Sequence, residues 1–120
     1  MPSFNFETGL KTFDINGDSE RTISFPPSDA KFVRRVYEGL GKLEECQKRH
    51  RAGVEAITEP SEILDAVDAA DGEIREIIDG VFESPGCDAV FGNLNTCGVA
   101  AGMPLWAGFM VALASECDDY

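Results

Sequence analysis

Residues 62–83 constrain the fold more than any other part of the chain. Ile63, Leu64, Val67, Ala70, Ile74, Ile77, Ile78, Val81 and Phe82 share one sector of about 140° at about 100° per residue. Glu62, Asp65, Asp68, Glu73, Glu76, Asp79 and Glu83 fill the opposite side. A half-buried strand would alternate with a period of two, so this pattern predicts a helix. At about 1.5 Å per residue it is about 33 Å long, enough to span a small domain and organise what packs on it. Asp71 breaks the pattern, because it falls inside the apolar sector and is followed by Gly72. A buried carboxylate is costly unless paired or hydrogen-bonded. The alternatives are a helix interrupted here, a cap for its second half, or a basic partner, and interruption is the simplest expectation.

The flanking segments have their own signals. Over about 10–25, Lys11, Phe13 and Ile15 alternate with polar residues, as do Arg21, Ile23 and Phe25, around an Asn16-Gly17 turn. This predicts a β-hairpin, which is marginal in water unless it packs on something. Phe4 and Phe6 have the spacing of a further short strand. After Pro26-Pro27, Ser28 is the expected N-cap of a helix over about 29–51. Phe32, Val33, Val36, Leu40, Leu43 and Cys46 form its apolar side, and Gly39 and Gly41 weaken it locally. A linker over 52–60 leads to Ser61, the expected cap of the helix over about 62–83. Residues 87–92 suit one short helical turn and 93–96 a loop. Pro104 fits the first position of a last helix over about 104–117. That helix is uncharged before Glu116, and a helix apolar all round is expected to be buried on all sides, in a central position or a subunit contact. The expected fold class is α+β: an N-terminal β-hairpin followed by a mainly helical bundle, with about three main helices plus a short one, in a single domain over 1–120.

Charge narrows the function classes. Ten basic residues against twenty-two acidic ones leave a net charge of -12. Such a surface repels phosphate backbones and anionic lipid, so no nucleic acid and no membrane partner is expected. Residues 52–120 hold a single base, Arg75, against fourteen acids, while residues 1–51 are near neutral. The most apolar stretch, 98–114, is interrupted by Pro104 and is shorter than the roughly 20 residues of a membrane span. The first seven residues lack a basic start and an apolar run, so the expected location is the cytoplasm of the cell that makes the protein.

No motif for chemistry is complete. Asp14-Ile15-Asn16-Gly17-Asp18 opens like a calcium loop, but Ser19 and Phe25 stand where glycine and a bidentate glutamate are required. The cysteines Cys46, Cys87, Cys97 and Cys117 form no C-x-x-C pair. The one histidine, His50, lies four residues from Cys46 among Lys48, Arg49 and Arg51, which reads as a solvated helix end. No nucleotide-binding glycine loop occurs. The expectation is a non-enzyme with no cofactor and no metal.

Phe13-Asp14-Ile15-Asn16-Gly17, then Ile23-Ser24-Phe25-Pro26-Pro27-Ser28-Asp29, read as strand, turn, strand and capped helix. With Arg75-Glu76-Ile77-Ile78-Asp79-Gly80-Val81-Phe82, Cys87-Asp88-Ala89-Val90-Phe91-Gly92 and Pro104-Leu105-Trp106-Ala107, they cover most of the chain. In these segments the chain resembles short phage and prophage tail assembly proteins of Gram-positive bacteria, described as tail assembly chaperones. The resemblance implies a non-catalytic role in which tape measure or tail tube subunits are bound before they polymerise. It carries no catalytic residues over.

The candidate partner-binding residues are Leu105, Trp106, Phe109 and Met110, since aromatic and Met anchors dominate interface energetics; the competing reading places them in the monomer core. The candidate acidic face is Glu62, Asp65, Asp68, Glu73, Glu76, Asp79 and Glu83. It would serve an alternative function as an inhibitor or decoy that presents carboxylates to a host protein. A structural virion tail component is a further alternative, and so small a core is compatible with a homo-oligomer.

Overall fold

A computed structural model of the chain describes residues 1–118. Two strands, β1 (Lys11–Ile15) and β2 (Asp18–Phe25), precede the long helices α1 (Ala30–Glu55) and α2 (Pro60–Phe82). The short α3 (Cys87–Phe91), the strand pair β3 (Val99–Ala100) and β4 (Met103–Pro104), and α4 (Leu105–Asp118) follow. The fold class is therefore the expected α+β, with an N-terminal antiparallel hairpin and a mainly helical remainder. No helix among the described residues is long and apolar enough to cross a membrane.

The hairpin forms where the Asn-Gly signal puts it. Asn16 (φ 53°) and Gly17 (φ 82°) both take the left-handed conformation that a two-residue hairpin turn requires. The Gly17 amide donates to Asp14 Oδ1 at 3.1 Å, so the residues that open like a calcium loop close a turn instead. Pairing runs from Lys11 opposite Phe25 to Phe13 opposite Ile23, with a register shift between Asp14 and Ile15. One face of the hairpin starts an aromatic chain. Phe13 stacks on Phe25 (4.7 Å between centroids) and Phe25 on Phe32 of α1 (5.2 Å). Phe82 continues the chain to Phe109 (6.0 Å), which meets Phe91 (5.6 Å). Arg21 fastens β2 to α3 by donating to the carbonyls of Ala89 (2.8 Å) and Val90 (2.7 Å). Phe4 and Phe6 form no strand: residues 1–10 have no regular structure and both rings are exposed.

The two long helices form an antiparallel pair. Asp29, not Ser28, caps α1, accepting from the Phe32 amide at 3.1 Å. The helix runs a turn past Arg51 to Glu55, which brings the half-buried Val54 to a cavity shared with Val67 of α2. The linker is correspondingly short. α2 starts at Pro60, whose fixed φ suits the first turn, so Ser61 lies inside the helix and caps nothing. Gly39 is buried where α1 approaches α2: a Cβ there would stand 2.6 Å from Val81 Cγ2. The residue that weakens the helix in isolation permits its closest packing.

α2 is not interrupted at Asp71-Gly72. The Asp71 carboxylate accepts from the Thr96 amide (2.8 Å), the Thr96 hydroxyl (2.7 Å) and Arg75 Nε (3.1 Å). Arg75 also donates to the carbonyls of Gly92 (3.0 Å) and Leu94 (2.7 Å). The partner that makes a carboxylate tolerable in the apolar sector is thus the only base of the C-terminal half, one helical turn on. Burial works against the charged form, but the two Thr96 bonds and Arg75 outweigh it and hold this carboxyl below its ordinary range.

α4 begins at Leu105, because Pro104 is in the β4 strand. Its first amides are met by the preceding loop: Leu105 donates to Gly98 O (2.8 Å) and Trp106 to Thr96 O (3.1 Å). Trp106, Met110, Leu113 and Cys117 enter the core. The opposite side is not covered: Val111 is 60% exposed, and Ala112 and Ser115 are exposed too. Within the chain α4 is therefore not central, because α1 and the β3–β4 pair reach only part of the helix.

Candidate functional site

Two features gather chemically distinctive side chains. The first is an apolar groove of about 460 Å³ between the hairpin and α4. Phe13, Ile15 and Ile23 of the hairpin form one wall, and Leu105, Phe109 and Leu113 the other, with Leu94 projecting from the loop between. Leu94 is 63% exposed, held there by the Arg75 bond to its own carbonyl. The charged groups that line the groove, Asp14 and Glu116, are both acidic.

The four candidate residues of α4 divide between groove and core. Leu105 and Phe109 are half-buried and line the groove. Trp106 and Met110 are 5% and 0% exposed and belong to the core. Helical spacing sets this split, because residues 105 and 109 share one stripe and 106 and 110 the next. Ile23, Phe13 and Leu94, also in the groove, are apolar residues of a hairpin and a loop whose common wall appears only after folding.

The acidic face of α2 is largely engaged within the chain. Asp79 accepts from the amides of Gly86 (2.9 Å) and Cys87 (3.1 Å), at the start of α3. Glu83 pairs with Arg35 at 3.1 Å, and Arg35 also donates to Val81 O (2.8 Å) at the end of α2. Asn95 reaches Asp68 at 3.4 Å. Glu62, Asp65 and Glu76 remain exposed.

Glu73 belongs to the second feature. The helix pair brings it to Cys46 and His50, which lie one turn apart on α1, so that one ligand-type atom from each falls within 4.8 Å of the others. His50 Nε2 is 2.7 Å from Glu73 Oε2, and Arg49 Nη1 is 2.8 Å from Oε1. The Cys46 thiol lies beside this carboxylate, within 4.8 Å of it. Bonds from His50 and Arg49 hold the Glu73 carboxyl down to about 2. Burial first, and the Glu73 charge second, push the Cys46 thiol up to about 11. A thiol so protonated is the reverse of an activated nucleophile, and the imidazole is engaged by the carboxylate. The three together bring a thiol, an imidazole and a carboxylate within reach of one cation. His50 is no solvated helix end, because α1 continues past it. The spacing of Cys46 and His50 is visible in the sequence, but Glu73 arrives from another helix, which no local spacing reveals.

Comparisons with protein-family models, curated proteins and solved structures found no match to this chain.

Proposed function

We propose that this protein is a non-catalytic, chaperone-like binding module of phage tail assembly, which holds a tape measure or tail tube subunit through the groove between the hairpin and α4. The groove itself carries the reading: two apolar walls left open to solvent, one of them a helix whose outer side stays uncovered. Subunits awaiting polymerisation expose apolar surface that must be shielded, and such a groove accepts an apolar segment of that kind. Asp14 and Glu116 in the lining, with the net charge of -12, favour a segment with neutral or basic flanks. The tail assignment rests on the resemblance of the hairpin, α2 and α4 segments to tail assembly proteins. The decoy alternative has less support, because Glu73, Asp79 and Glu83 are engaged by partners within the chain.

The test is co-expression of the protein with the tape measure and tail tube proteins of the same phage, followed by pull-down and light scattering. A soluble complex of defined mass is expected with one client. Leu94→Lys is expected to abolish it, because it places a charge in the groove from an exposed position. A triple Gln variant of Glu62, Asp65 and Glu76 is expected to leave it intact. No complex with either client, or loss only in the triple variant, would contradict the proposal.

A further inference from the structure

We propose that Cys46, His50 and Glu73 form a binding site for a single zinc-type divalent ion that ties α1 to α2. The three donor types suit such an ion: borderline-soft Zn²⁺ takes thiolate, imidazole and carboxylate together, usually in tetrahedral geometry. Their placement also fits. Zinc–ligand bonds of about 2.0–2.3 Å put neighbouring tetrahedral donors roughly 3.5 Å apart. The three atoms already lie within 4.8 Å of one another. His50 Nε2 and Glu73 Oε2, now 2.7 Å apart, need to open by less than about 1 Å to admit the ion between them.

The surroundings fit as well. Arg49 Nη1 donates to both oxygens of Glu73, at 2.8 Å to Oε1 and 3.1 Å to Oε2, so Oε2 can turn to the ion by giving up the longer contact while Oε1 keeps the shorter one, which orients the carboxylate. A thiolate and a carboxylate balance the two positive charges of the ion. On binding, the Cys46 proton passes to solvent and the imidazole presents Nε2 as the neutral Nδ1–H tautomer. A cavity of about 250 Å³ reaches Cys46 and His50, and Cys97 lines it too. The fourth position can thus be filled by water. The ligands come from two helices whose packing organises the fold, so the ion would bind the folded chain and not the unfolded one, and should raise its melting temperature.

The test uses tag-free, full-length protein stripped of metal by chelator. Titration with Zn²⁺ in a calorimeter is expected to give one ion per chain and a rise in melting temperature. Co²⁺ is expected to give a thiolate-to-cobalt charge-transfer band in the near ultraviolet. His50→Gln and Glu73→Gln should each weaken Zn²⁺ binding at least about tenfold. Cys46→Ser should remove the cobalt band, whereas Cys87→Ser, at a buried thiol elsewhere in the core, should keep it. Because Cys46 is wholly buried and its variant could fail to fold, the His50 and Glu73 variants carry the test independently. Absence of binding, a cobalt complex without the thiolate band, or full affinity in both Gln variants would overturn the proposal.

Discussion

α2 and α4 are both rich in apolar residues, yet they spend them differently. On α2 the apolar residues are confined to one sector, and Ala70, Ile74, Ile78 and Val81 from it are buried, whereas Leu64 in the first turns is exposed. Much of the opposite side is also tied down, through Glu73, Asp79 and Glu83. On α4 apolar residues run round the helix. Trp106, Met110 and Leu113 enter the core, Leu105 and Phe109 wall a groove, and Val111 faces solvent. A segregated pattern describes an element whose neighbours lie within the chain. An unsegregated one, on a helix the chain does not surround, leaves apolar surface open to solvent.

That contrast can be broken by substitution. The largest effect is expected at Ile78, which is fully buried on α2: Ile78→Ala should cost about 2–5 kcal/mol in urea unfolding. Asp71→Ala removes the acceptor of Thr96 and Arg75 and should cost about 1–3 kcal/mol, with early hydrogen exchange in residues 92–98. Gly39→Ala forces a Cβ against Val81 and should cost about 1–2 kcal/mol by the same unfolding measurement. At the other extreme, Val111→Lys on α4 should change stability by no more than about 0.5 kcal/mol. A large loss there would mean that the outer side of α4 is covered after all.

The pH dependence sharpens the same comparison, because the titrating groups sit on the α1–α2 side and at α3. Glu73 is held at about 2 in the fold against an ordinary 4.5. Its contribution is therefore complete above about pH 4.5 and lost as the pH falls towards 2. The thiols shift the other way. Cys46 is raised from 9.0 to about 11 and Cys87, mainly by burial, to about 12. Their contribution is complete below about pH 9 and lost as the pH rises through those values. Urea midpoints measured across pH should fall on both limbs; Glu73→Gln should flatten the acid limb in part, since Asp71 is also held low, and should start the Cys46 part of the alkaline limb at lower pH.

Local signals carried much of the fold. The Asn16-Gly17 turn, the segregated pattern of α2 and the apolar side of α1 each depend on residues close in the chain, and each element formed near its expected place. What depended on distant residues was not legible. Asp71 reads as a helix breaker until Thr96 and Arg75 are brought to it. Glu73 reads as a solvated acid until α1 supplies Cys46 and His50. The β3–β4 pair went unseen because its strands are two residues each, and because Ala101 (φ 54°), beside Gly102 (φ 82°), stands where Asn or Asp would complete the usual turn signal. The groove has no motif, being the meeting of hairpin, loop and helix walls.

Hydrogen exchange on the protein alone and co-expressed with the proposed client, a tape measure or tail tube protein, tests the central claim most directly. Added protection in β1, β2 and residues 105–113 is the predicted result. Added protection confined to the acidic side of α2 at residues 62–76, with the hairpin and α4 unchanged, would contradict it.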